Sequence, residues 1–200
     1  LSAPKLLTGE MVKRMADKPI IMALANPEPE ITPEEAKAAN PDVIIATGRS
    51  DYPNQVNNVL CFPFIFRGAL DVGATTINEE MKIACVKAIA DLAMAESSEI
   101  VAAAYAGEEL KFGPEYLIPK PFDPRLIIEV APAIAKAAMD SGVATKAIED
   151  FDEYRETLHE FVFKSGQLMR PIFYRASQNP KRVVYAEGES KRVLRAVQQL

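Results

Sequence analysis

Three asparagines stand where two β-branched apolar runs give way to loops. Asn26 follows the run Ile20–Ala25, and Asn57 and Asn58 lie in the long loop Thr47–Phe64. An asparagine side chain has two N–H donors and a carbonyl acceptor but no charge, so it can bind a carboxylate, a hydroxyl or a carboxamide without titrating. The pattern therefore predicts a site for a small polar ligand. The alternative is structural: Asn26 starts a turn before a proline, and Asn57 or Asn58 caps the helix that follows.

Four charged side chains are weaker candidates for binding. Glu28 and Glu30 occupy a proline-spaced loop and could bind a metal ion, but neither a histidine nor a third acid lies at ligand spacing. A solvated turn is favoured, because a hard cation needs more oxygen ligands than this loop offers. Arg49 and Lys120 could each pair with a phosphate or a carboxylate, although surface charge is the favoured interpretation. The sequence contains no GxGxxG, P-loop or GxSxG motif.

The cysteines and the single histidine show no catalytic pattern. Cys61 and Cys85 lie in apolar surroundings without CxxC spacing, which is typical of reduced core thiols in a cytosolic protein. His159 sits among charged residues in a helical pattern, so we expect it on the surface. We therefore predict no catalytic residue among the three.

The composition is that of an ordinary globular protein of 200 residues. Its formal net charge of -5 and pI near 5.1 argue against nucleic acid or an anionic membrane as the main partner. The longest stretch without a charged side chain and with substantial apolar content, Tyr52–Phe66, is too short for a membrane span and is broken by proline. No signal peptide is visible, so we expect a cytoplasmic location. Because residue 1 is not methionine, we also expect the chain to begin within a longer protein.

The first half of the chain predicts a βαβ unit. Ile20–Ala25 and Asp42–Thr47 are predicted strands, and Thr32–Ala39 between them combines a capping box with proline at the first helical position. A crossover of this length allows two parallel strands. Parallel strands have their carboxyl ends at the same sheet edge, so Asn26 and the second loop should emerge together, where α/β sheets bind ligands.

The remaining patterns predict mainly helices, interrupted by proline-rich connections. The helix Glu79–Ala95 is apolar around most of its circumference, so it should be buried on several sides. Pro132 should kink its helix, because it removes a backbone donor and crowds the preceding turn. The other predicted elements are the helices Thr8–Met15, Ser97–Tyr105, Asp123–Ser141 and Asp150–Lys164, the strand Arg182–Ala186, and a helix capped by Ser190.

These elements predict an α/β fold in three parts. Residues 1–118 form the C-terminal half of a Rossmann-like doubly wound parallel sheet. Residues 119–179 form a helical connector, and residues 180–200 form the first βα unit of a second α/β domain. One strand and one helix cannot form a domain alone.

Several segments carry a resemblance to a known family. The chain resembles the malic enzymes, and in particular the large bacterial type that is fused to a phosphotransacetylase-like domain. The segments that carry the resemblance are Ile20–Pro27, Gln55–Pro63, Phe64–Asp71, Ile118–Arg125 and, for the second domain, Arg182–Glu189.

The resemblance implies oxidative decarboxylation of malate to pyruvate and carbon dioxide, with reduction of NADP or NAD. By motif match Asn26 is implied to contact the nicotinamide end of the cofactor, and Asn58, with Asn57 beside it, to orient malate. The family also uses a divalent cation, Mg or Mn, and a catalytic tyrosine and lysine. We expect these groups and the glycine-rich dinucleotide loop upstream of Leu1, so the catalytic and metal sites have no residues here and the fragment alone should be inactive.

Further expectations concern partners. The family forms homo-oligomers, and the acyltransferase-like domain is implied to respond to an acyl-CoA effector. Two alternatives remain open: a non-catalytic interaction or oligomerisation module built on the alanine-rich helices, or an acyl-CoA-binding regulatory region.

Overall fold

The computed structural model describes residues 3–95 and 110–162. The chain divides into two compact units, residues 1–155 and 156–200, and the fold given below is that of the first. Of the second unit, residues 156–162 are described, and they are helical. The elements predicted over 97–105 and 182–200, and residues 163–164 at the end of a predicted helix, lie outside the described residues.

The two predicted strands form a parallel pair. β1 is Ile20–Ala23 and β2 is Ile44–Thr47, with Ile20 opposite Ile44 and Ala23 opposite Thr47. The predicted α/β class with a parallel sheet is confirmed. Both strands are shorter than predicted, because the chain leaves the ladder at Ala23 and enters the second strand only at Ile44.

Two short helices cover one face of this pair. α1 is Gly9–Val12, shorter than the predicted helix Thr8–Met15, and its N-cap is Thr8. α2 is Pro33–Ala39, as the capping signal predicted, and the Glu35 amide donates to Thr32 Oγ1 at 3.2 Å. A small core lies between these helices and the sheet; its members are Val12, Ile21, Ala23, Ile31, Ala36, Val43 and Ile45.

The long loop after β2 is shorter than the sequence suggested. A 3-10 helix, Asn58–Leu60, is followed at once by α3, Phe62–Asp71, so the prediction of one continuous loop to Phe64 is wrong. A proline in the first turn of α3 is compatible with helix, because its missing N–H would have no intrahelical acceptor there.

The main core is helical. α4 is Glu79–Met94, capped by Asn78, and α5 is Arg125–Asp140, followed by Gly142 in the left-handed region at φ +74°. The buried members of this core are Leu60, Ile65, Ala69, Val72, Met81, Cys85, Leu92, Leu126, Val130, Ile134, Ala135 and Ala138.

α4 is less buried than predicted. Ile83 and Val86 are 51% and 67% exposed, so burial of this helix on several sides is a wrong prediction for the described structure. In the described part of the chain, the buried residues of α4 are Met81, Cys85, Leu92 and Ala93, whereas α5 contributes Pro132 to the interior. None of the described helices has the length and apolarity needed to cross a membrane.

Candidate functional site

A cavity of about 390 Å³ lies at the carboxyl ends of β1 and β2. The prediction that two loops emerge together at this edge is confirmed, because both contribute to the wall. The lining residues are Leu24, Asn26, Gly48, Val56, Asn57 and Asn58. All three asparagines that the sequence singled out thus border the same space.

Asn26 is exposed, and its loop is held from both sides. The amide of Ala25 donates to Glu30 Oε2 at 2.9 Å, while the amide of Leu7 donates to the Glu30 carbonyl at 3.1 Å. Glu30 is half-buried, so the prediction of a solvated turn is wrong for this residue, although Glu28 is exposed. The Glu30 carboxylate therefore binds the backbone of its own loop at Ala25, the residue directly before Asn26.

Asn57 is both a cap and a cavity residue. Its Oδ1 accepts from the Val59 amide at 3.0 Å at the start of the 3-10 helix, which confirms the capping alternative for this side chain. Since the oxygen is used in this way, Asn57 can offer a ligand its Nδ2 donors. Asn58 is the first residue of that helix and is exposed. Within the described residues, the carboxamides of Asn26 and Asn58 hydrogen-bond no other residue.

Sequence analysis missed a fourth asparagine, Asn54. Its side chain is buried, at 5% exposure, and it hydrogen-bonds three backbone groups. Nδ2 donates to the carbonyls of Ile45 at 3.1 Å and Pro114 at 2.7 Å, and Oδ1 accepts from the Leu117 amide at 2.8 Å. Two of these partners lie about sixty residues away in the chain, so no local signal could reveal them.

The charged candidates lie outside the asparagine cavity. Arg49 makes a two-pronged ion pair with Asp51, at 2.8 Å from Nε and 2.6 Å from Nη2, and its guanidinium stacks on the Tyr52 ring at 5.2 Å. The hydrogen bond to Asp51 raises the pKa of Arg49. Lys120 lines a separate cavity of about 570 Å³. The favoured interpretation of Arg49 as surface charge agrees with its local pairing.

The cysteines are free thiols in close contact. Cys85 donates to Cys61 Sγ at 3.3 Å; Cys85 is buried and Cys61 is half-buried. Burial raises the pKa of the Cys85 thiol to about 12. His159 is exposed, as predicted. Over the described ranges, no group of three histidine, cysteine or acidic side chains could hold a metal ion.

The part of the chain that forms this cavity matches a known protein family. Residues 2–104 match the family model described as "Malic enzyme, NAD binding domain". The chain belongs to the malic enzyme family. Both loops that line the cavity fall inside the matched range, so the asparagines sit in a domain of the class that binds nicotinamide dinucleotides.

Curated relatives agree with this placement. The NADP-dependent malic enzyme of Salmonella typhimurium is 69% identical over 199 residues, and the NAD-dependent malic enzyme of Rhizobium meliloti is 64% identical over 201 residues. Each alignment covers 100% of this chain but 26% of the relative. The chain therefore spans about a quarter of the length of the malic enzymes it matches.

Solved structures show the same fold. The crystal structure of the malic enzyme from Pyrococcus horikoshii is 38% identical, with a TM-score of 0.69, and covers 86% of this chain and 36% of that one. The Entamoeba histolytica malic enzyme is 34% identical, with a TM-score of 0.67, over 84% of this chain and 32% of that one. This chain therefore has the Rossmann-like α/β fold with a parallel sheet that is found in these malic enzymes.

Proposed function

We propose that this chain is the part of a malic enzyme that orients malate against the nicotinamide of NADP or NAD. The whole enzyme oxidises and decarboxylates malate to pyruvate and carbon dioxide. The observation that supports this proposal is the convergence of Asn26, Asn57 and Asn58 on one cavity at the carboxyl edge of a parallel sheet, within a domain of that family.

The three carboxamides suit different parts of such a site. Asn26 presents a donor and an acceptor, and this pair complements the carboxamide of a nicotinamide ring. Asn58 presents the same groups from the other loop that lines the cavity, and they can bind a malate carboxylate or hydroxyl. Asn57 adds N–H donors, because its oxygen already caps the 3-10 helix. Being neutral, all three can hold a dianion without competing for its proton.

The bound nicotinamide supplies a hydride acceptor. This chain's contribution is to fix where the malate carbon lies relative to that acceptor, since a near-attack geometry can account for a large part of a barrier. The described residues do not provide a divalent cation site, because no suitable cluster occurs among them.

The predicted organisation extends the proposal. We assign residues 1–118 to the dinucleotide-binding domain, 119–179 to a helical connector and 180–200 to the start of a phosphotransacetylase-like domain. The Salmonella typhimurium malic enzyme, of which the chain covers 26%, aligns over 100% of the chain. The Halomonas elongata malic enzyme, of which the chain covers 35%, aligns over 73% of it. This difference in coverage supports an additional region in the longer relatives. Homo-oligomer formation and an acyl-CoA effector remain proposals for the whole protein.

Kinetics of the intact enzyme test the proposed roles. We expect Asn58→Ala to raise the KM for malate about tenfold or more, the size of a lost polar contact, and Asn58→Asp to raise it further by repelling the dianion. Asn26→Ala should instead raise the KM for the dinucleotide. Asn40→Ala is the matched control, because Asn40 caps a turn at the amino end of β2 through a 3.0 Å bond from the Asp42 amide.

Two results would contradict the proposal. If the intact protein fails to produce reduced nicotinamide from malate, the activity is wrong. If the protein is active but Asn58→Ala and Asn40→Ala give the same constants, the role of Asn58 is wrong. The expected inactivity of the 200-residue chain alone is checked in the same assay.

A further inference from the structure

We propose that Asn54 is a positioning residue for Asn57 and Asn58. Asn54 does not line the cavity, but the hydrogen bonds of its buried carboxamide hold the loop that carries the two asparagines to β2 and to residues 114–117. This inference deepens the proposed function and rests on it, since the loop is taken to hold malate.

The carboxamide of Asn54 has partners on both its nitrogen and its oxygen. Both classes of hydrogen-bonding group are used: Nδ2 donates to Ile45 and Pro114, and Oδ1 accepts from Leu117, at 2.7 to 3.1 Å. All three partners are backbone groups, and they belong to two distant parts of the chain, β2 and residues 114–117. The side chain therefore bridges segments much as a strand would, and no charged or shorter side chain can make this set of bonds.

The backbone conformation at position 54 also suits asparagine. Asn54 has φ +53°, in the left-handed region that asparagine tolerates better than most residues. This turn redirects the chain, so that Gln55 pairs with Thr47 in a parallel bridge and the Val56 amide donates to the Thr47 carbonyl at 2.8 Å. The loop thereby adds a short stretch to the edge of β2.

Asn54 is close in sequence to the two asparagines that line the cavity. Two residues, Gln55 and Val56, separate Asn54 from Asn57, and Val56 itself lines the cavity. With Val56 bonded to β2 and Asn54 anchored, the start of the 3-10 helix at Asn58 has little freedom. Loss of the anchor should release the loop and displace the malate-binding carboxamides, while Asn26 on the other loop is unaffected.

The test compares four variants of the intact enzyme. Asn54→Ala removes the carboxamide, Asn54→Asp keeps its shape but faces two carbonyls with oxygens, and Asn54→Gly removes it while favouring the left-handed backbone. Asn78→Ala is the matched control: Asn78 also links two distant segments, accepting from the Met81 amide at 3.1 Å and donating to Ser141 Oγ at 2.8 Å, but it lies outside the cavity wall.

We expect the three Asn54 variants to raise the KM for malate about tenfold, equivalent to about 1.4 kcal/mol, with the KM for the dinucleotide changed less than about twofold. Asn78→Ala should lower thermal stability without raising the KM for malate relative to the KM for the dinucleotide. If Asn54→Gly retains the parental malate KM, or if Asn54→Ala and Asn78→Ala change both KM values alike, the inference is overturned.

Hydrogen exchange of the unaltered protein covers the case in which the variants do not fold. The Leu117 and Val56 amides should be protected and should open together, because one side chain fastens both segments. An unprotected Leu117 amide would overturn the positioning role. This measurement does not depend on activity, so an enzyme that fails to oxidise malate would disprove the proposed function without deciding how Asn54 holds the loop.

Discussion

The phenolic hydroxyl of Tyr154 donates to Asp71 Oδ2 at 2.5 Å, across 83 residues of sequence. Asp71 is the last residue of α3, and the same oxygen accepts from Arg67 Nε at 2.5 Å. A single carboxylate oxygen therefore joins one turn of α3 to the segment that follows α5. This shared acceptor links the end of α3 to Tyr154 within the first compact unit.

Removing the Tyr154 hydroxyl should destabilise the protein measurably. We expect Tyr154→Phe to lower the free energy of unfolding by about 1 to 2 kcal/mol, because a half-buried hydrogen bond to a charged group is lost while the ring stays in place. Denaturant titration measures the change. Tyr52→Phe is the matched control, since the Tyr52 hydroxyl makes a longer, exposed bond of 3.3 Å to Glu34 Oε2. Equal effects of the two changes would contradict the importance of Asp71.

The bond between Tyr154 and Asp71 should make the free energy of unfolding depend on pH in the alkaline range. Burial, and next the hydrogen bond to Asp71, raise the pKa of Tyr154. In the unfolded chain the tyrosine loses its proton near its ordinary pKa of about 10, whereas the folded protein retains it. The stabilisation is therefore complete below about pH 10 and declines as the pH rises further. Unfolding free energies of the parent and Tyr154→Phe should converge in alkaline buffer; parallel curves would show that this group does not titrate as expected.

Close approach of α3 to α5 predicts a second sensitive position. A Cβ at Gly68 would lie 2.5 Å from the Ala131 carbonyl oxygen and 2.9 Å from Ile134 Cβ. Gly68→Ala should therefore cost about 1 to 3 kcal/mol of stability, because two helices must separate. Gly9→Ala is the control, since its nearest contact would be 3.5 Å from Ala39 Cβ, which is an ordinary van der Waals distance. A Gly68→Ala protein with unchanged thermal unfolding would disprove this packing.

Local signals predicted the elements that carry the cavity. Thr32 and the proline after it fixed the start of α2, and the position of that helix between two β-branched runs implied parallel strands. From parallel pairing alone, Asn26 and Asn58 were expected at the same edge. These predictions succeeded because each depends on residues close in sequence or on a general rule of α/β sheets.

Long-range contacts escaped prediction for a physical reason. The partners of Asn54 include Pro114 and Leu117, and no pattern near Asn54 encodes a bond that distant. The exposed side of α4 was missed because a nearly continuous apolar sequence hides which face meets the core. The sequence around Glu30 predicts a solvated acid, because the bond from the Ala25 amide to its carboxylate depends on how the loop folds back.

The thiol of Cys85 should be inert in the folded protein. Its pKa is raised to about 12 by burial, so the reactive thiolate is scarce at neutral pH. We expect iodoacetamide to label Cys85 only after unfolding, as measured by peptide mass spectrometry. Stability should also fall as the pH rises from about 9 towards 12, because the unfolded thiol ionises first, and Cys85→Ala should remove this component. Rapid labelling of Cys85 itself in the native protein would contradict its buried placement.

Glu30 offers the sharpest test of how the Asn26 loop is held. Its Oε2 accepts from the Ala25 amide at 2.9 Å, directly before Asn26. In the intact enzyme, Glu30→Ala should raise the KM for the dinucleotide about fivefold, because a released loop no longer presents Asn26, whereas Glu30→Gln keeps an acceptor and should stay close to the parent. Glu28→Ala is the control, since Glu28 is exposed in the same loop. If Glu30→Gln is as impaired as Glu30→Ala, the charge of Glu30 matters rather than its bond to Ala25, and the account of the loop must change.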